Sequence, residues 1–139
     1  MNVRALADTG AILAYLDRTE PWHQRCLEVF GEFRLPLSTS SAVLTGLFHL
    51  VGDNRRDVER AWAFIRSGAV TVLPISDPDL PDIEALMRKY RDRPMDFADG
   101  TLVHLAQRES LSTVFTIDHN DFETYRVAGR KRLRILPPR

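Results

Sequence analysis

The sequence has a single cysteine, Cys26, among its 139 residues. One thiol cannot form a disulfide framework within the chain, and it excludes a cysteine-rich zinc site. Cys26 falls in a helical pattern with Leu27 and Phe30. We therefore predict that it is a buried core residue.

Long apolar segments are also missing. The chain has no run of 18 consecutive apolar residues, which is about the shortest length expected of a transmembrane helix. Its N-terminus does not have the layout of a signal peptide. From these features we expect a cytoplasmic protein that makes no contact with a membrane.

Internal repeats, low-complexity segments and linkers are absent as well. The apolar fraction of 44% is ordinary for a globular protein. A chain of this length can bury a core of its own without disulfides or structural metals. We predict one domain over residues 1–139.

The formal net charge is zero, but the charges are unevenly distributed. Residues 1–125 carry 13 basic and 19 acidic side chains, whereas residues 126–139 carry six basic side chains and no acid. This basic C-terminal end could contact phosphate or an acidic partner. It could equally be a solvated tail that follows the last strand.

Short apolar runs alternate with helical patterns along the chain. Strands are predicted at 3–7, 69–73, 113–117 and 133–136, with a brief extended piece at 36–37. Helices are predicted at 11–16, 22–33, 42–51, 56–66, 79–91 and 96–108, with a single turn at 122–125. This alternation predicts an α/β fold whose central, mostly parallel sheet has helices on both faces. In such folds, ligands bind beyond the carboxyl ends of the strands.

Five aspartates are predicted at that edge of the sheet. Asp8 ends the first strand, Asp118 ends a late strand, and Asp121 follows within one turn. Asp96 and Asp99 open the preceding helix, with a spacing that puts both carboxylates on one helix face. Any of these residues alone could be a turn or cap residue, and Asp96 with Asp99 resembles a capping box. Their shared edge predicts instead that they face one crevice.

Such a cluster of carboxylates indicates a metal site. Like charges repel each other and destabilise the fold unless cations neutralise them. Oxygen ligands without histidine or cysteine suit Mg²⁺ or Mn²⁺ better than zinc. Two such ions about 4 Å apart can activate water and stabilise the leaving oxygen of a phosphodiester. We therefore predict a Mg²⁺ or Mn²⁺ site for phosphodiester chemistry.

Three segments then resemble a known family. They are Asp8-Thr9-Gly10 after the first strand, Asp96-Phe97-Ala98-Asp99-Gly100 at the start of the acidic helix, and Thr116-Ile117-Asp118 with Asp121-Phe122. In this order they resemble the motifs of PIN-domain ribonucleases. The resemblance covers most of the chain, and the length is similar to that of the small VapC-type toxins of type II toxin–antitoxin systems.

The resemblance implies a PIN-like domain that hydrolyses RNA phosphodiester bonds internally, with water activated by Mg²⁺ or Mn²⁺. It also implies a cognate VapB-type antitoxin and a homodimer. By the same resemblance, Asp8, Asp99 and Asp118 are the metal-binding, catalytic carboxylates, with Asp96 and Asp121 supporting them. Thr9 and Thr116 are the expected positioning residues for ligands or water.

Gly46 departs from the family pattern, which normally places a glutamate in this helix. Glycine in a helix interior reduces helix stability by about 0.5–1 kcal/mol relative to alanine, so its presence at this position needs an explanation. Close packing against a neighbouring backbone is one reason, and a lost metal-binding carboxylate is the other. In the second case His49, one turn on, could partly substitute. This departure supports an alternative function, a degenerate PIN domain that cleaves weakly or not at all and acts through antitoxin or RNA binding.

Other interpretations receive less support from the sequence. A phosphoacceptor receiver domain usually has adjacent acids after its first strand and a lysine after its last, but here Asp8 is alone and no lysine accompanies Asp118. A haloacid-dehalogenase-like phosphatase needs a second aspartate where this chain has Gly10. If the substrate is RNA, the candidates for backbone contacts are Arg18, Arg55, Arg56 and the basic cluster at 130–134.

Overall fold

A parallel sheet of five strands forms the centre of the protein. The computed structural model describes residues 2–93 and 95–139. The described part of the chain has seven strands, of which five form the central sheet: β1 (Leu6–Ala7), β2 (Leu37–Thr39), β3 (Val70–Val72), β4 (Thr113–Phe115), β5 (Arg126–Val127), β6 (Lys131–Arg132) and β7 (Arg134–Leu136). The central sheet has the order β3-β2-β1-β4-β7, and all of its pairings are parallel. The predicted α/β architecture is therefore confirmed.

Seven α-helices flank this sheet in the described part of the chain. They are α1 (Thr9–Leu16), α2 (His23–Phe30), α3 (Ser41–Val51), α4 (Arg55–Arg66), α5 (Leu80–Lys89), α6 (Phe97–Arg108) and α7 (His119–Thr124). Every predicted helix is present, although several boundaries differ. The prediction that α2 continues to Phe33 is wrong, because the helix ends before Gly31 and Phe33 packs into the core from the following turn.

Both faces of the sheet are covered. Successive strand residues point to opposite faces, and all three residues of β4 are buried, as are Leu6 and Ala7 of β1. Cys26 is fully buried, as predicted, and burial raises the pKa of its thiol to about 11. The thiol is therefore protonated at neutral pH and acts as a small apolar core residue.

Side-chain caps fix where the helices begin. The Ser40 hydroxyl accepts the Val43 N–H at 3.3 Å, and Asn54 accepts the Asp57 N–H at 3.1 Å. These are the usual N-cap contacts of short polar residues. The extended piece predicted at 36–37 lies one to two residues further on, as β2, because Ser38 and Thr39 join the sheet.

The basic C-terminal end is folded rather than a tail. Strands β5 and β6 form an antiparallel hairpin, which the sequence analysis did not predict, and β7 then joins the edge of the central sheet beside β4. The last residue, Arg139, donates from Nε to the Glu123 carboxylate at 2.9 Å. Residues 126–139 are therefore held against the body of the protein at both ends.

A second acidic group lies in a separate polar network. Asp79 Oδ1 is 2.7 Å from His104 Nε2 and 3.2 Å from an Arg108 guanidinium nitrogen, while Oδ2 accepts the Ser76 N–H at 2.9 Å. The hydrogen bonds from Ser76, His104 and Arg108 hold the pKa of Asp79 well below its usual range. This network ties the short turn before α5 to the second half of α6.

None of the helices in the described ranges is long and apolar enough to cross a membrane.

Candidate active site

The candidate site lies where the order of the strands reverses. The chain passes from β1 to β2 on one side and later returns as β4 on the other side of β1. Ligands bind at such switch points, beyond the carboxyl ends of the strands. A cleft of about 400 Å³ opens there. Its lining includes Asp8, Asp96, Asp99, Asp118 and Asp121, together with Gly46 and His49.

Three of the five carboxylates are close neighbours. One oxygen each of Asp99, Asp118 and Asp121 lies within 4.8 Å of the other two. Asp8 lines the same cleft but lies outside this close trio. The structure thus brings all five predicted acids to one cleft, and Asp121, which was expected to have a supporting role, belongs to the close trio.

Asp8 is held by two donors. Its Oδ1 accepts the Thr9 N–H at 2.8 Å, which caps helix α1, and its Oδ2 accepts the Thr116 hydroxyl at 2.8 Å. The same hydroxyl oxygen accepts the Asp118 N–H at 3.0 Å. Burial raises the pKa of Asp8 to about 6, with smaller contributions from the charges of Asp118 and Asp96, although both donors oppose the increase. Thr116 therefore connects the carboxylate after β1 to the backbone after β4.

Asp96 and Asp99 have different partners. Asp96 caps helix α6 as predicted, because its Oδ1 accepts the Asp99 N–H at 2.8 Å. The Asp99 carboxylate accepts the Tyr125 hydroxyl at Oδ2, at 2.9 Å. Burial raises the pKa of Asp99 to about 8, and repulsion from Asp8 and Asp96 adds to the shift. The cluster thus resists carrying its full negative charge.

Asp118 and Asp121 open helix α7. Asp118 Oδ1 accepts the Asp121 N–H at 3.3 Å, and Arg93 places a guanidinium nitrogen 3.8 Å from Asp121 Oδ1. The same guanidinium donates to the Asn120 carbonyl at 2.9 Å. Partial burial and the neighbouring Asp118 raise the pKa of Asp121, while Arg93 opposes that shift. Arg93 is thus a cation at the edge of the acidic cleft.

Sequence reasoning missed two residues of this site, Arg93 and Tyr125. Arg93 follows α5 in a charged stretch, and nothing in the sequence of that stretch distinguishes this arginine from its neighbours. Tyr125 lies 26 residues from the aspartate that it contacts, so no local spacing could relate the two. Only its place three residues after the Asp121-Phe122 segment could have suggested that it belongs to the site.

Gly46 lies directly against the side chain of Thr9. A Cβ atom at Gly46 would lie 2.9 Å from the Thr9 hydroxyl oxygen, which donates to the Val43 carbonyl at 3.0 Å. The expected contact with a neighbouring backbone is therefore wrong, since the close neighbour is a side chain. Thr9 donates its backbone N–H to the Asp8 carboxylate and its hydroxyl proton to the Val43 carbonyl in α3. His49 is exposed and lines the same cleft.

The donor set fits a hard divalent cation. The close ligand atoms are all carboxylate oxygens, the type that Mg²⁺ and Mn²⁺ prefer. Burial, with repulsion among the carboxylates, raises the pKa values of Asp8 and Asp99. A cation bound among the carboxylates would relieve this repulsion.

Comparison with known proteins identifies the family. The model of the PIN domain matches residues 5–130. The chain belongs to the PIN domain family. Ribonuclease VapC26 of Mycobacterium tuberculosis (strain ATCC 25618 / H37Rv) is 31% identical to this PIN domain over 135 residues, covering 95% of this chain and 99% of that protein. The resemblance to PIN-domain proteins of the VapC type is thus confirmed.

Solved structures share the fold of this PIN domain. The crystal structure of M. tuberculosis VapC20, a toxin that cleaves the sarcin-ricin loop, has a TM-score of 0.74 at 17% identity and covers 84% of this chain and 93% of its own. The structure of VapBC2 from Rickettsia felis, bound to a DNA fragment from its promoter, has a TM-score of 0.66 at 14% identity over 96% of this chain and 98% of its own. At these identities the likeness shows the fold alone.

Proposed function

We propose that this PIN domain is a metal-dependent endoribonuclease of the VapC type. The observation that carries the proposal is the convergence of carboxylates from separate elements on one cleft, with Asp99, Asp118 and Asp121 within 4.8 Å of one another and Asp8 beside them. The 31% identity to a ribonuclease of the VapC type supports the same activity.

The residues of the chain have distinct tasks in this proposal. Asp99, Asp118 and Asp121 would hold the cation, with Asp8 beside them in the same cleft. Mg²⁺ or Mn²⁺, when bound, would supply Lewis-acid activation of water and charge stabilisation at the phosphodiester. Thr116 orients Asp8 through its hydroxyl. Asp96 supports Asp99 by capping the helix on which Asp99 lies.

Substrate contacts would come from cations around this cleft. Arg93 is the arginine that the structure places beside the acidic cluster. Arg18 and Arg56 are exposed, and Arg55 pairs with Glu59 at 3.5 Å. An arginine next to a phosphodiester can donate two parallel hydrogen bonds to its oxygens. Of these arginines, we propose Arg93 as the strongest candidate for a contact with the RNA backbone.

RNA cleavage in the presence of Mn²⁺ tests the function. A structured RNA is incubated with the wild type, with Asp99→Asn and with Asp82→Asn, in Mn²⁺ and in excess chelator. Asp82 is exposed on α5, outside the cleft, so its variant is the matched control. We expect Mn²⁺-dependent cleavage by the wild type and by Asp82→Asn, and its loss in Asp99→Asn. Equal cleavage by all three proteins, or cleavage in chelator, would contradict the proposal.

Gly46 supports a second candidate function, that of a binding protein with little catalysis. Without a side chain, Gly46 contributes no carboxylate to a cleft that it lines. A degenerate PIN domain of this kind would bind antitoxin or RNA but would cleave RNA no faster in Mn²⁺ than in chelator. Retained RNA binding without Mn²⁺-dependent cleavage, measured on the same samples, would favour this second function.

We also propose an antitoxin partner of the VapB type. Among proteins of the same fold, VapBC2 from R. felis and FitAB were both solved bound to DNA fragments, with TM-scores of 0.66 and 0.63. Co-expression with a candidate VapB-type antitoxin should yield a stable complex with suppressed nuclease activity. Independent migration of the two proteins in size-exclusion chromatography would contradict this part of the proposal.

A homodimer is the second proposed assembly. An apolar groove between α5 and the start of α6 is lined by Leu80, Ile83, Met87 and Phe97, with Leu80 43% exposed and Phe97 45% exposed. A second copy of the chain covering this groove would bury that surface. Leu80→Glu should then shift the mass measured by light scattering to that of a monomer. Leu35→Glu, at a site 46% exposed elsewhere, should not.

A further inference from the structure

Tyr125 is fixed inside the protein directly after helix α7. It is fully buried, and its ring packs edge-on against Tyr90, with ring centroids 5.0 Å apart, and against Phe122, at 5.3 Å. Aromatic rings prefer this edge-to-face geometry. The ring therefore has little freedom to move, and the position of its hydroxyl is set by the packing around it.

The hydroxyl of this ring meets a carboxylate of the candidate site. It donates to Asp99 Oδ2 at 2.9 Å. On its other side, Asp99 is held through its backbone N–H by Asp96 at 2.8 Å. Asp99 is thus anchored both by the start of its own helix and by a residue from the segment after α7.

The Tyr125 hydroxyl is a neutral donor, whereas the Arg93 guanidinium beside the same cluster is charged. Arg93 is a cation 3.8 Å from Asp121, and a fixed positive charge competes with a metal ion for the same carboxylates. A tyrosine hydroxyl stabilises a carboxylate by hydrogen bonding without adding a net charge. Among the described residues, such donors also hold Asp8, through the Thr9 N–H and the Thr116 hydroxyl.

We propose that Tyr125 is a positioning residue for the metal site, acting through Asp99. Its hydroxyl holds one carboxylate oxygen in place, so that Asp99 is oriented towards Asp118 and Asp121 before the cation arrives. Outer partners of this kind typically change metal affinity by about 10–100-fold when they are removed. This inference rests on the proposed function, because it requires that Asp99 binds the cation.

Tyr125→Phe tests the role, with Tyr90→Phe as its matched control. Tyr90 belongs to the same aromatic cluster, but its hydroxyl accepts the Arg126 N–H at 2.9 Å and serves the backbone. Mn²⁺ binding is measured by calorimetry on the full chain, and the melting temperature is measured without metal. We expect Tyr125→Phe to weaken Mn²⁺ binding about tenfold and Tyr90→Phe to change it less than about twofold, even if both variants melt earlier.

Two outcomes separate the possible failures. If the wild type and Asp99→Asn bind Mn²⁺ equally, or neither binds it, the proposed function fails. If the wild type binds Mn²⁺ more tightly than Asp99→Asn, and Tyr125→Phe binds it as the wild type does, Tyr125 has a structural role only and the inference is overturned.

A measurement on the wild type covers the case in which Tyr125→Phe does not fold. Carbon-13 labelling of tyrosine and aspartate reports on the ring carbon that carries each tyrosine hydroxyl and on each aspartate carboxyl carbon. During a Mg²⁺ titration we expect the Tyr125 resonance to shift with the same midpoint as the Asp99 carboxyl resonance, while the Tyr90 resonance shifts less. A Tyr125 resonance that stays unchanged while the Asp99 resonance shifts would overturn the inference.

Discussion

Thr116 donates its hydroxyl proton to Asp8 Oδ2 at 2.8 Å. The same oxygen accepts the Asp118 N–H at 3.0 Å, so this hydroxyl acts as donor and acceptor at once. One buried hydroxyl therefore links the Asp8 carboxylate to the backbone of Asp118, beside the backbone hydrogen bonds that already pair β1 with β4.

Thr116→Val should damage the cleft without changing its shape. Valine has nearly the same volume but can neither donate to Asp8 nor accept from Asp118. We expect a loss of about 1–3 kcal/mol in the free energy of unfolding, since two polar groups lose their partner, and Mn²⁺ binding weaker by about tenfold. Urea denaturation and calorimetry measure the two effects.

Thr116→Ser is the control for that variant. Serine keeps the hydroxyl and loses one methyl group, which costs about 1 kcal/mol. Mn²⁺ affinity should therefore stay close to that of the wild type. If Thr116→Val binds Mn²⁺ as tightly as Thr116→Ser does, the hydroxyl has no part in preparing the site.

Protons and metal should compete for the carboxylates. The pKa values of Asp8 and Asp99 are raised to about 6 and about 8 in the fold, so between pH 3.8 and pH 8 the folded state binds more protons than the unfolded chain. These two groups therefore make the metal-free protein less stable as the pH rises through that window. A cation binds the ionised forms, so its stabilising effect should grow from pH 5 to pH 8.

Melting temperatures with and without Mn²⁺ at pH 5, 6.5 and 8 test this competition. We expect the increase caused by Mn²⁺ to be largest at pH 8 and close to zero at pH 5. In Asp99→Asn the dependence on pH should be smaller, because the group with the higher pKa has been removed. An increase that is the same at all three pH values in the wild type would contradict the prediction.

Asp79 should behave in the opposite way. The hydrogen bonds from Ser76, His104 and Arg108 lower the pKa of Asp79, so its contribution to stability is present above the unfolded value of about 3.8 and is lost as the pH falls through the folded pKa. Asp79→Asn should reduce the melting temperature at pH 7 and leave Mn²⁺ affinity unchanged. Asp82→Asn, at an exposed position on α5, is the control, and equal melting of the two variants would refute the role of the network.

Gly46→Glu tests whether the missing carboxylate limits the site. A Cβ at this position meets the Thr9 hydroxyl at 2.9 Å, so the single variant must displace Thr9. Gly46→Ala introduces the same contact without a carboxylate and is the control. We expect Gly46→Glu combined with Thr9→Ala to bind Mn²⁺ several-fold more tightly than Gly46→Ala combined with Thr9→Ala, and to cleave RNA faster.

The same comparison separates the two explanations of Gly46. If both double variants bind Mn²⁺ equally, the position is not short of a carboxylate, and glycine is present because Thr9 occupies the space. A calorimetric titration of the two proteins, with urea denaturation to confirm that both are folded, decides between them.

Local chemistry explains why much of the fold could be predicted. Asp8, Ser40 and Asp96 are short polar residues at helix starts, and each accepts a backbone N–H of the helix that follows. Strand β4 is a short, fully buried run of β-branched and aromatic residues, a composition typical of strands. Because the strands are parallel, acids that follow them had to meet at one edge.

The features that the sequence did not predict are of two kinds. Some are contacts between residues far apart in the sequence, and the others are strands made mostly of charged residues. The hairpin of β5 and β6 contains Arg126, Lys131 and Arg132 and lacks the alternation that marks a strand. The Tyr125–Asp99 and Gly46–Thr9 contacts join residues 26 and 37 positions apart. The closeness of Asp121 to Asp99 depends on how α7 packs, which spacing alone does not determine.

Anomalous diffraction from a crystal soaked in Mn²⁺ is the most direct test of the site. We expect an anomalous peak in the cleft, within bonding distance of carboxylate oxygens from Asp99 and at least one of Asp118, Asp121 and Asp8. In Asp99→Asn crystals the peak should weaken or disappear. A fully occupied Mn²⁺ ion elsewhere on the protein, with an empty cleft, would contradict the account.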